Sequence, residues 1–322
     1  MLDEADAPAF DHGAAEGGSA SNDERRAVRH NDERRATRHG VPLLAQVRIW
    51  HVGYVAKGML LADRSLPDGY IILCASMVKV HGRPNCMLNQ ASYPHEKSAF
   101  EVIATSNDVR QGRLTPQLVP LLEYGCTSKT LDQKNRMVEL LLALQNMSIQ
   151  RIMELRDADT LTGNQLRRLI QELGLSDDLD RTSPGDMILA GFSPADEPYL
   201  RHKVARALDD RVAGLASGRI GVPGSLYFTG IPDFTGTLPQ GTVAAVAEGR
   251  FFEEDEWLLY RAPGTHAGDV RKVRSVVPPP ALRELLNGAD ARRQNALFFS
   301  VQGERALADM LSGGDYDGDE FL

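Results

Sequence analysis

Three aspartates at alternate positions, Asp315, Asp317 and Asp319, constrain this chain more than any other feature. Like charges packed this closely repel, and each resists ionising beside the others. A divalent cation relieves that repulsion, and aspartate oxygens are hard ligands suited to Mg²⁺ or Mn²⁺. On a flat strand, side chains two residues apart share a face but lie about 6.6 Å from one another, too far to clasp one small ion. The segment is therefore predicted to curl into a loop, a shape that Gly318 and the Gly313-Gly314 pair permit. Phe321 and Leu322 read as the start of a buried strand leaving it.

Other acidic motifs compete with this reading. A calcium loop of the EF-hand type needs glycine at its sixth position and glutamate at its twelfth. Counted from Asp315, the sixth position is Glu320, so that reading fails. A phosphatase loop of the haloacid dehalogenase type also has a D-x-D-G core, but it follows an apolar strand and ends in threonine. Here Ser312-Gly313-Gly314 precedes and Asp319 follows. A solvated acidic turn stays open on the motif alone.

Five further blocks bear on the choice. Phe298 to Gly303 and Gly313-Gly314 precede the D-x-D-G-D run, and Ala262 to Arg271 reads A-P-G-T-H-A-G-D-V-R. Gly230-Ile231-Pro232-Asp233 is followed by Leu238 and Gly241, and Ala190-Gly191-Phe192-Ser193-Pro194 by Glu197-Pro198. Nearer the start stand Arg48, Lys57-Gly58 and Ser76-Met77-Val78-Lys79-Val80. In this order the blocks resemble the cell-encoded RNA-dependent RNA polymerases of the RNA-silencing type. Two positions depart from the family pattern. Ala267 replaces a proline, and Cys74-Ala75 stand where an arginine is usual, which puts one phosphate or template contact in doubt.

The resemblance implies an α+β fold of two β-rich, double-psi β-barrel-like units bridged by a helical connector, with the second barrel truncated. The expected divisions are a disordered tail over 1–40, a first β-rich unit over 41–110, a helical connector over 111–185 and a second, catalytic unit over 186–322. It also implies template-directed synthesis of double-stranded RNA from nucleoside triphosphates, with silencing-pathway proteins as possible partners. Asp315, Asp317 and Asp319 are the implied metal ligands and catalytic residues, with Mg²⁺ or Mn²⁺ as cofactor. Two metals about 3.5–4 Å apart activate the attacking oxygen and stabilise the leaving one. Lys57 and Lys79 match the family's lysines and are expected near phosphates, although exposed strand ends are the alternative reading of both. Arg271, Arg305 and His266 are further candidates for phosphate or the loop, with a satisfied structural histidine the favoured reading of His266. Only Phe321 and Leu322 follow the loop, so Asp319 is expected to fray and the chain to be catalytically incompetent alone. The alternative function is an inactive relative that binds RNA or a protein partner.

Net charge is −8, unexpected for an RNA-handling chain. Local balance differs: from Gly264 to Arg305 there are seven lysines and arginines against four acids, a basic stretch leading to the carboxylates. Cys74, Cys86 and Cys126 have no C-x-x-C spacing, which points to neither zinc nor a disulfide framework. No apolar run approaches the ~20 residues of a membrane span, and no signal sequence opens the chain. An intracellular setting, cytoplasmic or nuclear, is the expectation.

Within residues 1–40, Asn22–His30 is repeated almost verbatim by Asn31–His39, with Thr37 for Val28. So polar a segment buries too little apolar area to fold. Alternation predicts strands over 43–49, 52–61, 70–74, 77–80 and 100–105, with an unpatterned insertion over 81–98. The period then turns helical near Leu118–Leu122, Met137–Met147 and Leu161–Leu173. A strand is predicted over Met187–Ala190, then a helix from a Ser193 cap with Pro194 first in it, running to about Leu215. Strands follow at 225–229, 242–247, 256–261, 270–276 and 297–301.

Overall fold

The computed structural model describes residues 41–51, 54–81, 99–106, 109–125, 130–156, 169, 170, 173, 175, 183–286, 289, 291 and 294–322. The repeat-bearing tail over 1–40, most of the 81–98 insertion, and the greater part of the expected helix over 161–173 lie outside these residues. Among the described residues, no helix is long and apolar enough to cross a membrane.

The architecture is mixed α/β. Strands β1 (Leu44–His51) and β2 (Tyr54–Leu61) form an antiparallel hairpin, flanked by β3 (Val78–Val80) and β4 (Ala99–Thr105) in the order β3-β2-β1-β4. Register places Arg48 opposite Lys57 and Gln46 opposite Met59. Residues two apart on a strand share a face, so Gln46 and Lys57 project from one side of the hairpin. The expected strand over 70–74 is absent: Tyr70 and Ile72 are exposed, and among the described residues no partner strand supplies the ladder that extended backbone needs.

Next come β5 (Arg110–Arg113), missed by periodicity because its sequence is Arg-Gln-Gly-Arg, then α1 (Leu118–Gly125) and α2 (Leu131–Arg156). The predicted strand over 187–190 is instead α3 (Pro184–Leu189). Ser183 caps it by accepting the Asp186 N–H, and Pro184 occupies its first turn. An apolar run this short has no readable period, and Ile188 is buried among helices, with Leu155, Leu200 and Val204. Helix α4 (Pro198–Ala216) starts one turn later than predicted. Its cap is Glu197, which accepts the Tyr199 N–H, and Pro198 takes the first helical position.

The second sheet contains β6 (Gly221–Pro232), β7 (Thr242–Ala247), β8 (Arg250–Phe251), β9 (Asp255–Tyr260) and β10 (Val270–Ser275). After α5 (Pro280–Leu286), which periodicity did not predict, it is completed by β11 (Asn295–Phe299) and β12 (Glu320–Phe321). The order is β12-β6-β11-β7-β10-β9, with β5 on β6 and β8 on β7. Pairs β10/β7 and β11/β6 are parallel. Every residue of β7 and β11 is buried, as parallel-paired central strands require. Asp233, fully buried after β6, accepts the N–H groups of Thr235 at 3.0 Å and Leu238 at 2.7 Å, which fixes the turn into β7.

Among the described residues, two of the cores that pack on this sheet lie near the loop. One joins Leu43, Leu44 and Met59 of the first sheet region to Ile231, Ala244 and Phe298, so the sheets share apolar packing. The other lies beneath the aspartate loop and contains Phe299, Phe321, Ala308 and Leu311, with Tyr316 against it.

Candidate active site

The aspartate loop is suspended between β11 and β12. Its lead-in winds through tight turns, with the Leu311 N–H donating to the Ala308 carbonyl at 2.9 Å and the Gly313 N–H to that of Asp309 at 3.0 Å. The loop then closes on itself: the Asp315 N–H donates to Asp319 Oδ2 at 2.8 Å and the Asp317 N–H to Asp315 Oδ1 at 3.2 Å. Gly318 makes the bend possible at φ +126°. One oxygen from each of Asp315, Asp317 and Asp319 comes within 4.8 Å of the others, as the predicted curl requires.

The end expected to fray is instead paired on both sides. The Gly230 N–H donates to the Asp319 carbonyl at 3.0 Å, and Leu322 exchanges both backbone bonds with Tyr260 at 2.9 Å. Phe321 is fully buried, its ring centroid 4.7 Å from that of Phe299. Backbone pairing and an aromatic anchor hold what sequence position alone marked as loose.

Cations surround the trio. Lys57 Nζ forms an ion pair with Asp317, and Gln46 Nε2 donates to the Asp317 carbonyl. Lys79 Nζ donates to the Ser76 carbonyl at 2.7 Å and lies near enough to act on Asp317 electrostatically. Arg261, at the end of β9, grips Asp319.

The charges sort the carboxylates. Burial first, then Asp317 and Asp319, raise the Asp315 carboxyl above its ordinary value. Lys57 foremost holds Asp317 below its own, and Asp317 raises Lys57 in return. The two neighbouring carboxylates are thus shifted in opposite directions, as expected of a coupled pair. Three hard oxygen donors, one of them reluctant to stay ionised, fit a divalent cation.

The remaining predicted residues make their contacts elsewhere. His266 Nδ1 accepts the Gly268 N–H at 3.0 Å and Asp269 accepts the His266 N–H at 2.9 Å, which caps a short 3₁₀ turn over Ala267–Asp269. Arg271 Nε donates to the Met310 carbonyl at 3.1 Å, bracing the lead-in to the loop. Arg305 pairs with Asp309 at 2.5 Å within the same lead-in.

The family described as RNA dependent RNA polymerase matches this chain over residues 17–322. The chain belongs to that RNA-dependent RNA polymerase family. It is 31% identical over 281 residues to the Probable RNA-dependent RNA polymerase 3 of Arabidopsis thaliana, covering 87% of this chain and 25% of that protein. It is 26% identical over 307 residues to RNA-dependent RNA polymerase 2 of the same plant, covering 88% and 23%. In fold it is similar to RNA dependent RNA polymerase QDE-1 from Thielavia terrestris, with a TM-score of 0.54 at 22% identity over 87% of this chain and 30% of that one. The chain thus spans about a quarter of the length of the curated relatives it matches.

Two residues of this polymerase-family site escaped sequence reasoning. Arg261 directly precedes the Ala262–Arg271 block, and that adjacency is the signal that could have found it. Gln46 offered none: it is one polar residue in an alternating strand, and only the meeting of the sheets places it at Asp317.

Proposed function

We propose that this chain carries the catalytic loop of an enzyme that makes double-stranded RNA on an RNA template from nucleoside triphosphates, in RNA silencing. The observation that carries this reading is the convergence of Asp315, Asp317 and Asp319 within 4.8 Å, with Lys57 brought to them from the other sheet, in a chain of this family. The three aspartates would hold Mg²⁺ or Mn²⁺, which supplies charge neutralisation at the attacking and leaving oxygens of nucleotidyl transfer. Lys57 and Lys79 are assigned to triphosphate, where an ammonium offsets charge on the departing group. Arg305 is exposed and would meet phosphate by exchanging Asp309. Arg271 and His266 support the segment around the loop through the contacts described above.

Contacts to RNA are assigned to its backbone and 2′-hydroxyls rather than to base edges, since such an enzyme accepts any sequence. The two sheets are read as the two double-psi β-barrel-like units of the family. What supports that reading is the fold likeness to QDE-1 and, for the second unit, the parallel pairing of β6 with β11 and β7 with β10; the first sheet is paired antiparallel throughout.

The test is incorporation of labelled nucleotide on a single-stranded RNA template with Mg²⁺ and with Mn²⁺. In an enzyme of the relatives' full length that carries this segment, Asp317→Ala and Asp319→Ala are each expected to abolish product while far-UV circular dichroism is unchanged. Incorporation that persists in both variants overturns the assignment. A wild-type protein that binds RNA yet incorporates nothing favours the binding-module alternative.

A further inference from the structure

Arg261 has no role in the reading above, yet its geometry is the most constrained around the loop. Its side chain is 19% exposed and faces an Asp319 side chain that is 18% exposed. Nη2 donates to Asp319 Oδ1 at 2.9 Å, and Nη1 donates to the Ser312 carbonyl at 3.0 Å. Nε lies 2.7 Å from Asp319 Oδ2, with its N–H aimed off that line, so this contact is ionic rather than a hydrogen bond. One planar fork therefore grips the residue where the loop begins and the carboxylate where it ends.

The sequence makes room for this contact. A Cβ at Gly314 would lie 2.9 Å from Arg261 Cδ and 2.7 Å from the Ala308 carbonyl oxygen. Any side chain at 314 would press on the arginine stem, with rigid backbone behind it. Asp319 Oδ2 also accepts the Asp315 N–H at 2.8 Å. Orienting Asp319 thus orients the backbone from which Asp315 projects.

We propose that Arg261 is a positioning residue for the aspartate metal site: by gripping Asp319 and Ser312 together it sets the loop so that the three carboxylates converge before an ion arrives. The proposal rests on the reading that the trio binds a divalent cation. Lysine does not replace arginine in this role. Its ammonium is a single point charge, whereas the guanidinium spans two acceptors in fixed geometry. Partners that orient a metal ligand in this way typically change metal affinity 10–100-fold when removed, by the order of magnitude seen in other metal sites.

The experiment is a Mn²⁺ titration of the purified 322-residue chain, with free Mn²⁺ followed by electron paramagnetic resonance and melting temperature measured alongside. The variants are Arg261→Lys, Arg261→Met, Gly314→Ala and Asp317→Asn. Both Arg261 variants are expected to bind Mn²⁺ on the order of 10–100-fold more weakly, with lysine failing to rescue. Gly314→Ala is expected to weaken binding although every ligand and Arg261 are retained. If Asp317→Asn abolishes binding while both Arg261 variants bind like wild type, the metal site stands and this inference falls. It also falls if Arg261→Lys restores wild-type affinity, or if the Arg261 variants lower only the melting temperature. If wild type binds no Mn²⁺, or Asp317→Asn binds as wild type does, the metal reading itself falls and takes this inference with it.

Discussion

Lys57 and Asp317 meet across 260 residues of sequence, the ammonium of β2 on the middle carboxylate of the aspartate loop. Beside this pair, Gln46 donates to the carbonyl of the same aspartate. One residue of the loop is thereby tied to the first sheet through its side chain and its backbone. The second sheet holds the loop's far end through Gly230 and Tyr260. The candidate site is thus built where the two sheets face each other.

Lys57→Met should release Asp317, whose carboxyl then titrates closer to the ordinary aspartate range. Because Lys57 depresses Asp317, that group contributes stability above about pH 3.9, lost as pH falls through its lower folded value. Lys57, raised by Asp317, contributes below about pH 10.4, lost as pH rises through its higher folded value. The variant should lose both contributions. Nucleotide incorporation should fall by about 10²-fold, the scale of losing one preorganised charge at a reacting centre. Carboxyl ¹³C NMR and steady-state incorporation check the two halves separately. An Asp317 titration unchanged from wild type would show that the ion pair is not formed in solution.

Gly318→Ala should destabilise the protein by more than about 1 kcal/mol, because alanine is disfavoured at positive φ. The added Cβ would also collide with the Gln46 amide and break its bond to the Asp317 carbonyl. Urea denaturation should show the loss, and Mn²⁺ affinity should drop with it. Wild-type stability would mean that the loop adopts another bend.

Phe321→Ala should cost about 3–5 kcal/mol, the usual scale for emptying a buried aromatic site. The ring is fully buried against Phe299, and it lies over Gly230, where a Cβ would meet it. Chemical denaturation measures the cost. A loss below about 1 kcal/mol, far under that scale, would place the ring outside the core.

Asp269→Asn should weaken the 3₁₀ turn over Ala267–Asp269. The backbone N–H groups of His266, foremost, and Thr265 hold the Asp269 carboxyl below its ordinary value. Its contribution is therefore present above about pH 3.9 and lost as pH falls through the folded value. The variant should lose about 1 kcal/mol near neutral pH, as capping contacts do, and show a flatter acid limb below pH 4 in unfolding experiments. An unchanged acid limb would assign the pH dependence to other carboxylates.

What the sequence determined by itself is the chemistry that is local along the chain. Alternating carboxylates with Gly318 among them can converge only in a curled loop, and the curl is present. The strands over 242–247 and 270–275 were legible because six-residue apolar or alternating runs leave few other ways to bury side chains. Met187–Leu189 was misread because a run this short fits either period. The Ser183 cap and the helical neighbours of Ile188 decided it. Strand β5, Arg-Gln-Gly-Arg, has no apolar signal and exists because β6 offers it an edge.

The tertiary structure alone decided which charges face the aspartates. Lys57 was a candidate on resemblance, but nothing in its surroundings distinguished it from Lys79, which bonds locally to Ser76. Arg261 passed unnoticed, and Arg305, placed next to the loop in sequence, spends its charge on Asp309. An ion pair depends on distance in space. Across separations of 58 residues for Arg261 and 260 for Lys57, that distance is set by strand register and sheet packing rather than by neighbours in the chain.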